Sequence, residues 1–422
     1  MKKFLRIILI SSLLLTPLFS LTACKGDDSS NNPPANEPEV QAPAVDPNAN
    51  KLGAHYMVSD GLNDMAANGV IHTIDKKTSI CYAVYLASED KLGESDQLVK
   101  VSKFNVLQPT NAEWVTVFDK DKDFGGAKLS EASILNLNFD YVRVFAINLE
   151  NLKYYYKDVN KKTLEVGELK EVKYKGSNVK NEPVVNLSKD DVNAHISDLG
   201  GTQFGHLQFG SNIVEVNRYF YATLCGGNNM NNIIFMESPD GETWTFLSMI
   251  EHKVNYEAVL SYHSDKFWIY CRNGFTEPST QTNTNLLYSK DGKTWTESNL
   301  ALTTSDTRPY LFTYQGELYL AYSSPLATDY STVRTWRCNI HIGKIVSKDG
   351  VETYEEVIYK ESKFGIVYYN VFDWYGKMIL LYSSGELHPE EGIMNWKSQG
   401  KDCLMYTVLQ EVDPELNIQS NS

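Results

Sequence analysis

Apolar and polar residues alternate along most of the chain, and the alternation recurs in units of similar length. Each unit contains a segment of alternating polarity, a short polar turn and a second, more apolar segment. Such units cover residues 69–88, 133–147, 211–225, 257–274, 309–324 and 369–385. A two-residue period with many aromatic and β-branched residues is typical of β-hairpins.

A further pair of strands follows most of these hairpins, so each unit would form a four-stranded antiparallel sheet. Six such sheets in series, with no long amphipathic helix between them, predict an all-β fold, a six-bladed β-propeller. A β-sandwich with long excursions is the alternative, although it would not explain the regular recurrence of paired hairpins.

A shorter motif, Ser-x-Asp-Gly-x-Thr-Trp, occurs as "SPDGETWTF" (238–246) and "SKDGKTWTE" (289–297). Both copies fall where the third strand of a unit would turn into the fourth. Asp can accept hydrogen bonds from the turn backbone, Gly supplies a positive φ, and Trp can pack beneath the turn. We therefore predict a structural role for Ser238, Asp240, Gly241, Trp244, Ser289, Asp291, Gly292 and Trp295. A degenerate third copy, "SKDGVETYEE" (347–356), keeps the Ser, Asp and Gly.

The N-terminus predicts an export signal and a tether. Residues 1–23 have a basic start and a short apolar stretch, and the segment before Cys24 resembles a bacterial lipoprotein cleavage box. "KGDDSS" after Cys24 resembles the surface-export tag of Bacteroides-type lipoproteins. Residues 24–50 are rich in Pro, Asn and Asp and are expected to form a flexible tether. The propeller would occupy 51–422, anchored through lipidated Cys24 in the outer membrane, facing the periplasm or the cell surface.

Composition excludes several functions. The formal net charge is −14, which argues against nucleic-acid binding. The cysteines after Cys24 are widely spaced and are expected to be buried thiols, and no zinc motif occurs. We expect no cofactor and no metal.

"DKDKDFGG" (119–126) spaces its aspartates as a calcium loop would, but Gly125 and Glu131 each come one place late. A solvated loop is the preferred interpretation, and calcium binding and oligomeric state stay open.

The repeated Asp-Gly turn resembles the Asp-box, or bacterial neuraminidase repeat, of sialidases, and implies a sialidase-like propeller. That family clamps the carboxylate of sialic acid with three arginines, since guanidinium pairs with carboxylate in a forked geometry. The resemblance also implies a tyrosine nucleophile, a glutamate that deprotonates it, an aspartic acid from the first blade and a late glutamate.

Several residues match this pattern in order. Glu257 and Arg272 lie at opposite ends of one hairpin, as the family's base and second arginine do, and Tyr368 or Tyr369 matches the nucleophile. Candidates for the remaining places are Asp90 as the acid, Arg308, Arg334 and Arg337 as the third arginine, and Glu386 as the late glutamate. His206, at the entry to the third blade, could face the same opening, although a packed or surface position is the simpler interpretation.

One element of the pattern is missing. The family's first-blade arginine has no counterpart in "MAANGVIHTI", and Arg143 lies in the middle of a predicted strand. The candidate residues could also simply line a polar channel. Three functions are therefore compared: an exo-glycosidase of sialidase type that releases terminal acidic sugars, a non-catalytic glycan-binding propeller lipoprotein, and a glycosidase of another propeller family that uses paired carboxylates.

Overall fold

The computed structural model describes the chain between residues 56 and 410 with several gaps. The described ranges are 56–59, 64–72, 80–87, 98–177, 181–209, 212–226, 232–251, 256–272, 283–284, 286–302, 308–324, 339–360, 365–385, 387–388, 393–394 and 403–410. All of them belong to one compact unit, Pro47–Ser422. Within these ranges no helix is long and apolar enough to span a membrane.

The first half of the chain forms a sheet of eight strands, preceded by the short strand β1 (Tyr56–Met57). The eight strands are β2 (Asp64–His72), β3 (Ile80–Ala87), β4 (Leu98–Asn105), β5 (Gln108–Asp119), β6 (Leu129–Asn136), β7 (Tyr141–Asn148), β8 (Lys153–Asn160) and β9 (Lys170–Glu171). Their spatial order is β5-β4-β3-β2-β6-β7-β8-β9. Neighbours are antiparallel except at β2 and β6, which are joined by the parallel pair Asn68–Ser133. The sheet is thus two four-stranded units side by side, and each contains a predicted hairpin.

The next sheet has seven strands and an unpredicted extension. Its strands are β10 (Lys173–Lys175), β11 (Val184–Asn186), β12 (Gln208–Phe209), β13 (Val214–Val216), β14 (Tyr219–Cys225), β15 (Asn232–Ser238) and β16 (Thr243–Glu251). The extension consists of strands β10 and β11 and helix α2 (Lys189–Asp198), and β10 runs parallel to β16. Ser188 caps the helix. The buried helix residues Val192 and Ile196 belong to the same hydrophobic cluster as Trp244.

The remaining sheets contain four strands each, with two short strand pairs between them. The strands are β17 (Tyr256–His263), β18 (Lys266–Arg272), β19 (Asn283–Thr284), β20 (Leu286–Ser289), β21 (Thr296–Glu297), β22 (Ala301–Leu302), β23 (Tyr310–Tyr314), β24 (Glu317–Ser324), β25 (Asn339–Lys348), β26 (Val351–Lys360), β27 (Gly365–Trp374), β28 (Lys377–Gly385), β29 (Leu387–His388), β30 (Ile393–Met394) and β31 (Cys403–Gln410). The four-stranded orders are β17-β18-β20-β21, β23-β24-β25-β26 and β1-β31-β28-β27. Strand β1 therefore completes the last sheet, pairing Tyr56 with Tyr406 and Met57 with Met405.

The hydrophobic core lies between successive sheets. One cluster joins Cys225 and Phe235 of the seven-stranded sheet to Leu260 and Phe267 of the next. The described thiols Cys81, Cys225 and Cys271 are buried, as predicted. Sheets that pack face to face in sequence, with both chain ends meeting in the last one, form an all-β propeller.

The two Ser-x-Asp-Gly-x-Thr-Trp turns are held by hydrogen bonds from their own backbone amides to their Ser and Asp side chains. They connect β15 to β16 and β20 to β21. In the second turn, the Ser289 hydroxyl accepts a hydrogen bond from the Gly292 amide, and the Asp291 carboxylate accepts from the Lys293 and Thr294 amides. The amide bonds from Thr294 and Lys293 lower the pKa of Asp291 to about 2. The first turn repeats the arrangement with Ser238, Asp240 and Gly241, and Trp244 beneath it is fully buried.

Each of these turns also docks on the preceding sheet. A Cβ at Gly292 would lie 2.6 Å from Phe235, and one at Gly241 would lie 2.5 Å from Leu135. The Gly292 carbonyl accepts a hydrogen bond of 2.7 Å from the Ser248 hydroxyl, which in turn accepts from the Trp295 indole at 3.1 Å.

The degenerate third copy does not dock in this way. Asp349 and Gly350 form a two-residue turn between β25 and β26, with φ values of 55° and 77°, and a Cβ at Gly350 would meet nothing within 4 Å. Two positive φ values in a two-residue hairpin loop are typical of a type I′ turn. The glycine of this copy therefore makes no close contact with the preceding sheet, and the contact there is made by Glu352, which accepts a hydrogen bond from the Ser298 hydroxyl at 2.9 Å.

Residues 119–126 form a capped helical turn. Helix α1 (Lys120–Phe124) begins after Asp119, whose carboxylate accepts from the Asp121 and Lys122 amides, and it ends at Gly125. Asp123 is 2.7 Å from the Lys157 ammonium. In the part of the chain that the structure describes, no group of three or more His, Cys, Asp or Glu residues is placed to hold a metal.

Candidate functional site

Strand ends gather at one edge of the propeller, which we call the mouth. In the hairpins whose turns the structure describes, the tight turn lies at the opposite edge, so the first strand starts at the mouth and the second strand ends there. In the hairpin of β17 and β18, the turn lies between His263 and Lys266, and Glu257 and Arg272 occupy the other end.

Glu257 and Arg272 form a buried ion pair. The Arg272 Nη1 donates to Glu257 Oε2 at 2.5 Å, and the side chains are only 2% and 3% exposed for Arg272 and Glu257 respectively. Charge-assisted bonds of this kind are short and strong, and burial strengthens them further. The pair fixes the position of the Glu257 carboxylate at the mouth.

Three mouth residues share an unusual backbone conformation. Glu131 in β6, Glu257 in β17 and Tyr368 in β27 have φ values of 50°, 43° and 47°, and each lies at a register shift in the first strand of its hairpin. A bulge re-aims a side chain, and a left-handed non-glycine residue costs roughly 1–3 kcal/mol. Strained backbone conformations of this kind are common at functional sites, so the shared bulge makes these three residues candidates for functional roles.

Arg308 and Tyr368 form the second pair at the mouth. Arg308 precedes β23, is buried, and places its guanidinium carbon 5.2 Å from the centre of the Tyr368 ring. This distance is within the range of a cation–π interaction. Arg308, one of the three arginines proposed from sequence for the third place, thus contacts the tyrosine ring.

The structure distinguishes Tyr368 from its neighbour Tyr369. Tyr369 is 1% exposed, belongs to a hydrophobic cluster with residues from all three four-stranded sheets, and donates to the Ala321 carbonyl at 3.4 Å. Its hydroxyl therefore points into the core toward the neighbouring sheet. Tyr369 is a core residue here, and Tyr368 is the half-buried one beside Arg308.

Glu131 anchors a second polar cluster. The Gln208 side-chain amide donates to Glu131 Oε2 at 2.6 Å, and His206 Nε2 lies 3.5 Å from Oε1. The Cys225 thiol donates to the Gln208 carbonyl at 3.6 Å. Burial, with smaller contributions from the carboxylates of Glu131 and Glu257, raises the pKa of Cys225 to about 12. The two carboxylates are therefore both near this thiol.

Little in the local sequence indicates Glu131 as a site residue. It stood out only as a displaced calcium-loop position, and the bulge that turns it depends on pairing with β7. His206, in contrast, was considered for the mouth, and its contact with Glu131 supports that position.

Arg143 has a structural role away from the mouth. Its Nε and Nη2 donate to the two carboxylate oxygens of Asp158 at 2.7 and 3.0 Å, and Nη1 donates to the Asp240 carbonyl at 3.0 Å. Its guanidinium carbon also lies 4.0 Å from the centre of the Tyr156 ring. It therefore cannot replace the missing first-blade arginine. The candidate residues Cys24, Asp90, Arg334, Arg337 and Glu386 lie outside the described residues.

Comparison with known proteins finds similarity in structure alone. No protein-family model matches the chain, and no curated protein matches it in sequence. A mutant of Trypanosoma rangeli sialidase displaying trans-sialidase activity matches with a TM-score of 0.50 and 12% identity, over 82% of this chain and 54% of that one. This chain thus spans about half the length of the trypanosomal protein.

Two further solved structures match over more of their own length. The Hadza microbial sialidase Hz136 has a TM-score of 0.52 and 13% identity, over 82% of this chain and 66% of that one. The phage phi92 endosialidase has a TM-score of 0.53 and 10% identity, over 86% and 69%. At such identities the likeness shows the fold, and the fold of this chain is a sialidase-like β-propeller.

Proposed function

We propose that this protein is a surface-anchored exo-glycosidase of sialidase type, built on a six-bladed propeller, that releases terminal acidic sugars from glycans. The observation that carries the proposal is the Arg308 guanidinium over the Tyr368 ring, with Tyr368 on the same kind of bulge as Glu257. We count six blades by treating the eight-stranded sheet as two. Lipidation at Cys24 would hold the enzyme on the outer membrane.

The chemistry follows from the charge of the substrate. An acidic sugar with a carboxylate on the anomeric carbon would repel a carboxylate nucleophile, whereas a phenol is neutral until it reacts. Arg308 and Arg272 are the described arginines at the mouth that could attract the substrate carboxylate. In the forward step, Tyr368 Oη bonds to the anomeric carbon while its proton passes to Glu257.

The buried ion pair also supports a second candidate, a propeller that binds glycans without cleaving them. Arg272 is already neutralised by Glu257 at 2.5 Å, and Arg143 is committed elsewhere. A weak anion clamp with aromatic side chains could hold a sugar and fail to activate it. Activity measurements separate the two candidates.

The test is release of a fluorogenic leaving group from a sialoside by the wild type and by Tyr368→Phe, Tyr369→Phe and Glu257→Gln. Loss of the nucleophile or base should lower kcat by about 10²–10⁴-fold. Tyr369→Phe, which removes one hydroxyl in the core, is the matched control and should stay within about threefold of the wild type. Saturable glycan binding without turnover in the wild type would favour the second candidate.

A further inference from the structure

We propose that Glu131 is the catalytic acid of this site, with Gln208 and His206 as its positioning residues. The inference rests on the proposed glycosidase function and assigns a residue for the step that protonates the leaving group. It replaces Asp90, which the sequence resemblance suggested, with a carboxyl from the neighbouring blade.

Glu131 and Tyr368 lie on two strands that both contact β2. Strand β6 is joined to β2 at the pair Asn68–Ser133, two residues from Glu131, and β27, which carries Tyr368, also packs against β2. A sugar held in front of β2 would have the nucleophile and this carboxyl on adjoining strands.

Strand β2 does not supply an acid from its own bulge. Its register shifts between Ala66 and Val70, the place that corresponds to Glu131, Glu257 and Tyr368 in the other strands. The intervening residues are Ala67, Asn68 and Gly69, none of which has an acidic side chain. The nearest bulge with a carboxyl is that of β6.

The two carboxyls have different partners. Glu257 is held in a buried ion pair with Arg272, whereas Glu131 accepts a hydrogen bond from the neutral amide of Gln208 and is about a quarter exposed, at 23%. In the described residues, the basic side chain beside Glu131 is His206, and Tyr154 and Cys225 are also close to it. Glu131 is therefore the more accessible of the two carboxyls for a leaving group.

The Glu131 carboxyl gives its proton to the glycosidic oxygen as the bond from that oxygen to the anomeric carbon breaks, and Tyr368 Oη forms the new bond. The leaving alcohol departs, and the Glu131 carboxylate then takes a proton from the water that attacks the anomeric carbon. The Tyr368 oxygen leaves and recovers its proton from Glu257.

The test compares two leaving groups in Glu131→Gln, Asp90→Asn and the matched surface control Glu215→Gln. A phenolic fluorogenic sialoside needs little protonation, whereas an alkyl sialoside needs the acid. Glu131→Gln should lose less than about tenfold in kcat on the phenolic substrate and about 10²–10⁴-fold on the alkyl one. His206→Asn should lower kcat on the alkyl substrate by a smaller factor, while its KM and its kcat on the phenolic substrate stay near the wild-type values.

Each outcome decides between the assignments. The inference is overturned if Glu131→Gln behaves like Glu215→Gln, or if Asp90→Asn alone shows the leaving-group dependence. A wild type inactive on both substrates would instead overturn the proposed function, and the inference with it. If Glu131→Gln does not fold, Glu131→Asp takes its place, and it should show a smaller loss confined to the alkyl substrate.

Discussion

At the scale of single residues, Arg143 shows how a charge can be committed to the fold. Its side chain is buried among Asp158, the Asp240 carbonyl and the Tyr156 ring, so it joins the second blade to the first Asp-Gly turn of the third. Arg143→Met would leave the Asp158 carboxylate without its partner. We expect the free energy of unfolding to fall by about 3–5 kcal/mol, as when one member of a buried ion pair is removed.

Urea unfolding measures this loss, with Arg218→Met as the matched control. Arg218 is exposed in a turn, so the same substitution there should change the free energy of unfolding by less than about 0.5 kcal/mol. Adding Asp158→Asn to Arg143→Met should restore part of the loss, because the uncompensated charge is removed. Equal effects at the two arginines would contradict the structural role of Arg143.

At the scale of elements, the three Asp-Gly turns offer an internal comparison. Gly292 and Gly350 have similar φ values of 68° and 77°, but only Gly292 faces a neighbouring sheet. Gly350→Ala should lower the free energy of unfolding by about 1–2 kcal/mol, because alanine disfavours the left-handed backbone conformation. Gly292→Ala adds a contact with Phe235 at 2.6 Å, and overpacking of this kind costs about 1–3 kcal/mol more.

Chemical denaturation of the two variants checks the difference. If Gly292→Ala is no less stable than Gly350→Ala, the turn does not join successive sheets. The comparison holds the substitution and the backbone conformation nearly constant, so the difference reports the docking alone.

The same elements show what the sequence could predict. The hairpins and turns were predicted because alternation and Asp-Gly chemistry act over a few residues. The spacing of Glu257 and Arg272 likewise predicts that both lie at the open end of one hairpin, because the hairpin itself is a local structure. The bulge at Glu131 depends on pairing between β6 and β7, and the contact of Arg308 with Tyr368 depends on packing between sheets. Neither the bulge nor the contact produces a pattern in the neighbouring sequence. The segments that form β10, β11 and α2 have no strong hydrophobic periodicity.

At the scale of the whole molecule, the propeller is closed by its first strand. β1 pairs with β31, Val58 beside it is fully buried, and the Ser102 hydroxyl donates to the Val58 carbonyl. A protein that begins at Asp60 would lose these contacts, whereas one that begins at Lys51 would keep them. Burial of Val58 alone contributes about 1.5–3 kcal/mol, so the shorter form should be less stable by at least this amount.

Removing β1 would also expose the edge of β31, and an open edge strand can pair with another molecule. We therefore expect the form that begins at Asp60 to show a lower urea midpoint and concentration-dependent association in size-exclusion chromatography. The form that begins at Lys51 should match one that begins at Lys25 in both measurements, because residues 25–50 are proposed to be only a tether. If the Asp60 form were as stable and monomeric as the Lys51 form, ring closure would not depend on β1. If the Lys51 form were itself weaker than the Lys25 form, the tether would contribute to the fold, and the boundary at residue 51 would have to move toward the N-terminus.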